Sequence, residues 1–391
     1  MPSGFRISNT SSGWANTDFD DVFVSRDLFA EGGVWMSGGG YNSVPVQILG
    51  GTWKSIVRNY ITQHFITTDG KLWGGGTNNE GQVGDGTTIN RFGPLVQIGT
   101  ECTWAKLHEF SSGRESTHAI KTDGTLWGWG RGYCGAMGNL SQANQSSPVQ
   151  TSLGGTDWKQ VAAGHYITAA VKTDGTLWTW GGTSQGALGH NRGGNNALSP
   201  SQTCAGGTNW RQVSAGRRGM AATKTDGTLW TWGRGNEGQQ GNNSIVASGV
   251  SAIQTITGGT DWKAVVTGAY FNVATKTDGT LWFWGLNDCG QLGDNTTINR
   301  SSPVQTIAGG TNWKYGTGLN GMSAAIKTDG TLWTWGWGGT TGTRGRLGNN
   351  DGSSTIVKRS SPGQTVAGGT NWVKIGASTC ALLTVIRCCD F

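Results

Sequence analysis

The chain is poor in charge, proline and histidine. Asp, Glu, Lys and Arg make up 13% of its 391 residues, with 7 prolines and 5 histidines. No run of Lys or Arg marks a nucleic-acid tail, so a net charge of +6 does not by itself call for a nucleic-acid partner, and none is expected. No apolar stretch approaches the length of a membrane span, and the N-terminal Met-Pro-Ser-Gly-Phe-Arg-Ile-Ser has no apolar core of a secretory signal. The seven cysteines include no C-x-x-C pair. Cys134 and Cys289 fall at one loop position of two internal repeats, where Glu80 and Glu237 stand in others. A position that accepts either residue is neither a metal ligand nor half of a required disulfide. Reduced thiols are expected, as in a cytoplasm.

Catalytic signatures are missing too. There is no H-E-x-x-H, no P-loop and no G-x-S-x-G. The glycine-rich loops follow strands and lead into no helix, so they are not phosphate cradles. The stretch around Asp294 and Asn295 lacks the dense carboxylates of a calcium loop. His64 and His118 each sit five residues before a repeated aspartate, so they are equivalent positions of adjacent repeats and not a catalytic pair. A non-enzyme without metal or cofactor is the expectation.

What the chain has is glycine (69), tryptophan (21) and a beat. Thr-Asp-Gly turns place Asp69, Asp123, Asp174, Asp226, Asp278 and Asp329 at spacings of 54, 51, 52, 52 and 51 residues. A second marker, Gly-Gly-Thr-x-Trp in its full form, keeps the same period at Trp53, Trp104, Trp158, Trp210, Trp262, Trp313 and Trp372. Such a period means units that bury a core only by stacking on their neighbours. Residues 156–207 read as four strands. Trp158–Gly164 alternates, Ile167–Lys172 follows, the Asp174-Gly175 pair reads as a primed hairpin turn, and Thr176–Trp180 and Pro200–Thr203 complete the unit.

Six full units follow one another, and a degenerate seventh is split. Gly33–Gly38 and Val44–Gln47 look like its last two strands, while Trp372–Gly376 and Cys380–Ile386 look like its first two. The fold class is therefore all-β: a seven-bladed β-propeller of four-stranded antiparallel blades, closed by terminal segments sharing one blade. The domains are a leader of residues 1–30 and a propeller of residues 31–391. Val22–Phe29 could add a fifth strand to the shared blade. Nineteen tryptophans recur at fixed positions and are expected to form blade-to-blade core, each contributing roughly 2–3 kcal/mol on burial.

One face of such a ring carries the Thr-Asp-Gly turns and Gly-Gly-Thr connections, nearly identical in every repeat. The other carries loops that differ. The varied loops supply Arg58 and Tyr60, Arg114, Arg131 with Tyr133, His165 with Tyr166, Arg217 with Arg218, Arg234, Tyr270 with Phe271, Trp337, Arg344 and Arg346. Arg, Tyr and Trp are the residues interfaces favour, so these are the candidate partner-binding residues.

The stretches Trp-Gly-Leu-Asn-Asp-Cys-Gly-Gln-Leu-Gly (284–293) and Gly-Gly-Thr-Asn-Asn-Glu-Gly-Gln-Val-Gly (75–84), at a period near 52, resemble the regulator of chromosome condensation repeat. The resemblance covers roughly residues 31–387 and implies a seven-bladed propeller. The founding member's nucleotide exchange on a small GTPase is an activity that this resemblance carries less well, since no basic N-terminal tail and no wedge hairpin is found. Near-identical repeats behind a short leader also resemble propeller proteins in the virions of tailed phages. That resemblance implies a virion location after assembly in the host cytoplasm, with Phe5, Ile7, Trp14, Phe19 and Phe23 docking on other virion proteins. It further implies a host-surface glycan or protein bound by the varied face, as in a fibre or decorating subunit. An intracellular adaptor or guanine-nucleotide exchange factor is the alternative.

Overall fold

The computed structural model describes residues 34–38, 42–49, 53–58, 62–107, 116–191, 195–246, 248–319, 321–339, 347–348, 358–366, 368–375 and 383–387. These form seven four-stranded antiparallel sheets. Blades 1 to 6 occupy residues 53–97, 104–150, 158–202, 210–254, 262–305 and 313–364, each in sequential strand order. Blade 7 is composite: Asn42–Leu49, Val34–Gly38, Leu383–Arg387 and Trp372–Ile375 lie side by side. In it Trp35 pairs with Val385, and Val385 pairs in turn with Ile375. The expected sharing of one blade by both chain ends is thus the observed architecture. The leader, its five apolar anchors and the fifth strand at Val22–Phe29 lie outside the described residues.

Blade 3 shows why this sequence folds so. Its strands are Trp158–Ala163, Ile167–Lys172, Leu177–Gly181 and Ala197–Gln202, here strands A to D. The last begins three residues earlier than Pro200, the start read from sequence. First strands of successive blades touch one another, so strand A is innermost and strand D peripheral. An inner edge would leave backbone groups unpaired. Gln160 solves this with both ends of its amide: Nε2 donates to the Val213 carbonyl at 3.2 Å, and Oε1 accepts the Val213 N–H at 3.0 Å. Gln212 does the same for Val265.

The Thr-Asp-Gly turn differs in type from the primed turn read from sequence. The Gly175 N–H donates to the Lys172 carbonyl at 3.0 Å, and only Gly175 takes a positive φ, 79°. The Asp174 side chain bonds within the turn, where its Oδ1 accepts the Thr176 N–H and hydroxyl at 2.8 and 2.7 Å. This is a type I turn closed by a left-handed glycine, the usual three-residue hairpin. A hydrogen bond from the Thr176 backbone, with the Thr176 hydroxyl, holds the Asp174 carboxyl below its usual range.

The turn also locks onto the next blade. The Trp210 N–H donates to the Gly175 carbonyl at 3.0 Å, and a Cβ on Gly175 would stand 2.0 Å from the Thr208 carbonyl oxygen. The same stitch joins Gly124 to Trp158, Gly227 to Trp262, Gly279 to Trp313 and Gly330 to Trp372. The uniform face is uniform because its two motifs bind each other across every such boundary.

The tryptophans divide into three roles. Trp129, Trp180, Trp232, Trp284 and Trp335 are fully buried; four of them donate Nε1–H to a loop carbonyl of the preceding blade, as Trp180 does to Ala136 at 2.8 Å. Trp158, Trp210, Trp262, Trp313 and Trp372 are core. Trp73, Trp127, Trp178, Trp230, Trp282 and Trp333, each following a leucine and also expected as core, are half-buried. Trp178 donates to the Thr176 hydroxyl at 2.9 Å, and the Lys172 ammonium lies 4.8 and 5.2 Å from the centroids of Trp158 and Trp178. Lys121, Lys224, Lys276 and Lys327, at the same repeat position, are likewise held over two indoles, where charge and aromatic face can meet without full desolvation.

His64 and His118 are buried completely and exchange volume with a partner strand. Opposite them stand Gly74 and Gly128, where blades 3, 4 and 6 pair an alanine with Thr179, Thr231 and Thr334. Those threonine hydroxyls donate to the carbonyls of Leu188, Gln240 and Leu347. His64 Nε2 makes the corresponding bond to Val83 at 3.1 Å, and His118 Nε2 bonds Ala136 at 3.0 Å. Burial pushes both imidazoles down to about 4.

Candidate partner-binding face

The varied face begins from one shared turn shape. Where strand A meets strand B, the N–H of Gly164, Gly216, Gly268 and Leu319 donates to the carbonyl of Ile167, Gly219, Phe271 and Met322. Two residues project from each of the first three turns: His165 and Tyr166, Arg217 and Arg218, Ala269 and Tyr270. Glycine is needed below them because neighbouring turns nearly touch. A Cβ on Gly164 would lie 2.2 Å from the Gly216 carbonyl oxygen, and one on Gly216 would lie 2.6 Å from that of Gly268. The backbone is fixed and only the projecting side chains are free to differ.

Across blade boundaries these side chains meet the residues that leave strand C. Arg234, the last residue of its strand, stands 5.2 Å from the centroid of Tyr270 in the next blade. Arg217 lies 5.3 Å from the same ring and donates to the Tyr270 hydroxyl. Two guanidiniums on one ring would repel each other, and Glu237 relieves this with two bonds to Arg234 at 3.0 and 2.5 Å. Burial opposes ionisation of Glu237, but hydrogen bonds from Arg234 and Gln239 outweigh it and hold the carboxyl below its usual range. Arg218 is exposed, and its guanidinium has no partner among the described residues.

The same pairing recurs between blades 2 and 3. Arg131, equivalent to Arg234, lies 5.9 Å from the ring centroid of Tyr166, equivalent to Tyr270, and 5.4 Å from that of Tyr133. The two tyrosines pack edge-on at 4.8 Å, and His165 lies against Tyr166 at 3.9 Å. Tyr133 is 50% exposed. An arginine leaving strand C and a tyrosine on the next turn thus form a repeated cation–aromatic unit.

Two expected site residues sit differently. Phe271 is 1% exposed and belongs to the core, its ring filling the space beside Gly318. It begins strand B, and the turn ends at Tyr270. Trp337 ends its strand half-buried, beside Gly321. Arg58 ends the first strand of blade 1, with its side chain outside the described residues; Tyr60, Arg114, Arg344 and Arg346 lie outside them altogether. Sequence reading missed Glu237 as the counter-ion of Arg234, although the i,i+3 spacing offered a signal. Among the described residues no group of three or more His, Cys, Asp or Glu could hold a metal ion, and no helix is long and apolar enough to cross a membrane. Burial pushes the Cys289 thiol up to about 11, away from reactivity.

The geometry accords with what the chain is similar to. Models of the regulator of chromosome condensation repeat match residues 123–171 and 278–313, and a second model of that repeat matches residues 158–187, 210–239 and 262–291. Human E3 ubiquitin-protein ligase HERC2 is 29% identical over 81% of this chain, which spans only 6% of that relative. The Arabidopsis thaliana ultraviolet-B receptor UVR8 is 30% identical over 61% of the chain and 54% of the relative. Among solved structures, Saccharomyces cerevisiae Prp20p superposes with a TM-score of 0.77 at 15% identity, covering 95% of this chain and 94% of that one. Human WBSCR16 gives 0.75 at 16%, covering 92% and 100%. At such identities these structures show the fold alone. The relatives overturn the virion location, because they are eukaryotic proteins of this repeat type and not phage particle proteins. The shared signal is the blade framework itself, which any long repeat array displays, so near-identity of repeats could not place the chain in a particle. The matches to the regulator of chromosome condensation repeat fall within residues 123–313, and there the chain resembles that repeat.

Proposed function

We propose that this protein is a non-enzymatic partner-binding propeller, an adaptor or exchange-factor-type regulator, which engages another protein through the face bearing Arg131, Tyr133, Tyr166, Arg217, Arg218, Arg234 and Tyr270. The repeated arginine–tyrosine unit carries this reading. It occurs at two blade boundaries, Arg131 with Tyr166 and Arg234 with Tyr270, and the inter-blade stitches make no use of it. Aromatic and arginine side chains held in place by their neighbours lose little freedom on binding, as interface anchors require. The opposite face is already occupied in joining blade to blade.

The relatives support a binding role. Yeast Prp20p is described as binding Gsp1p and histones, and as bound by Kap60. Two measurements test the proposal. Release of a fluorescent guanine nucleotide from a panel of small GTPases separates exchange factor from adaptor. Cross-linking mass spectrometry of any partner complex should place the links on residues 131–133, 165–166, 217–218 and 270; links confined to the Thr-Asp-Gly face would sink the reading.

A further inference from the structure

Three guanidiniums gather around one ring on the varied face. Arg217 and Arg234 both lie against Tyr270, and Arg218 shares a cleft rim with Arg234 and Tyr270 between blades 4 and 5. Arg234 has its counter-ion in Glu237, and Arg217 is turned onto the Tyr270 hydroxyl. Arg218 is exposed and pairs with none of the described residues. The described residues of the neighbouring turns, 164–166, 268–270 and 318–319, hold no carboxylate to balance it.

The second spare group is a hydrogen. The Tyr270 hydroxyl accepts from Arg217, and a guanidinium can only donate. The hydroxyl must therefore send its own hydrogen elsewhere, and that hydrogen meets no acceptor among the described residues. Glu237 is engaged by Arg234 and Gln239. The cleft itself is closed below, since Met220, Trp232 and Asn272 line it and are 2%, 1% and 3% exposed. A partner meets the rim and does not enter.

The rim thus presents donors without acceptors, which calls for an anion. The gathered guanidiniums raise the local potential and draw such a group in, while an ammonium would be repelled. A phosphodiester strand is held by many cations along its track. Here the preceding turn projects His165 and Tyr166 instead, and blade 5 continues with an exposed Asp288. One or two carboxylates match what is available, and a carboxylate fits the fork of an arginine.

Resting on the partner-binding reading above, we propose that this rim receives an acidic segment of a protein partner. An Asp or Glu carboxylate pairs with Arg218, and the Tyr270 hydroxyl donates to an oxygen of the same segment. Arg217 and Arg234 hold the ring in place.

The probes are capped hexaglutamate, hexaglutamine and hexathymidylate, titrated against the full chain by ligand-observed NMR. Hexaglutamate should bind about fivefold more tightly than either of the others, or better, and should weaken as salt is raised from about 50 to 300 mM. Arg218→Gln should weaken it about threefold at an unchanged Tm. Tyr270→Phe keeps the ring for both arginines and should weaken it about twofold. Lys314→Gln, which removes an exposed charge at the start of a strand A on the opposite face, should change nothing. Equal binding of hexaglutamine overturns the proposal, and so does an equal loss with Lys314→Gln or indifference to Arg218→Gln. Tighter binding of hexathymidylate, or no binding by any probe, overturns it too. Partner cross-links to the varied face would still stand in those cases, so failure of the acidic preference is distinct from failure of the binding role.

Discussion

The Trp210 N–H donates to the Gly175 carbonyl at 3.0 Å, across the boundary between blades 3 and 4. Gly175 reaches that position with a φ of 79° and leaves no room for a Cβ beside the Thr208 carbonyl. Gly175→Ala should therefore lose stability twice over, through the left-handed backbone at about 1–2 kcal/mol and through parting of the two blades. Chemical denaturation should show a total loss of about 2–4 kcal/mol. A loss below about 1 kcal/mol would mean that the stitch is dispensable.

Acid should open the ring at the two buried histidines. Their pKa values are held near 4 by burial, against 6.5 for the free side chain. The unfolded chain takes up protons first, so this stability is fully present above about pH 6.5. It is lost as pH falls through 4, to the extent of about 3 kcal/mol per histidine. Replacing His64 and Gly74 together by Ala and Thr, the pair found in blades 3, 4 and 6, should lower the midpoint of acid unfolding followed by circular dichroism. His64→Ala alone leaves a cavity and an unpaired Val83 carbonyl, and should cost about 2–4 kcal/mol at pH 7.

Binding and stability should separate at the neighbouring arginines of blade 4. Arg218 is exposed, so Arg218→Ala should change unfolding free energy by less than about 0.5 kcal/mol. Arg217 is half-buried against Tyr270, so Arg217→Ala should cost about 1 kcal/mol. Both should weaken partner capture measured by surface plasmon resonance. Equal destabilisation by the two would contradict their different settings.

Closure should depend on the strand Leu383–Arg387. Val385 pairs with Trp35 on one side and Ile375 on the other. Val385→Pro removes an N–H from an interior strand, where proline is not tolerated. Hydrogen exchange should then quicken at Val34–Gly38 and Trp372–Ile375 together, and independent behaviour of the two would argue against a latch.

Architecture was legible because a period repeats its evidence: six Asp-Gly turns and seven leading tryptophans leave few ways to arrange four strands per unit. Residue roles were less legible where they depend on a neighbour about 52 positions away. Phe271 reads as a loop aromatic beside Tyr270, yet the turn ends one residue sooner and places it inside. Lys172 is marked in sequence only by its place before the Thr-Asp-Gly turn, and the packed blade is what shows the two indoles beneath it. Arg234 and Tyr270 stand out separately in sequence, and no local pattern says that they touch.

The pairing of Trp35 with Val385 also sets an order of events during synthesis. A strand made among the first of those described must wait some 350 residues for its neighbour to leave the ribosome. Six blades can complete their own hairpins within about 50 residues each, so they assemble as an open arc that grows with the chain. The long wait itself adds less than about 2 kcal/mol of chain entropy relative to one blade. Its larger effect is temporal: the exposed edge at Val34–Gly38 is unprotected until the last moment, and a chaperone that holds that edge would govern the yield of closed rings.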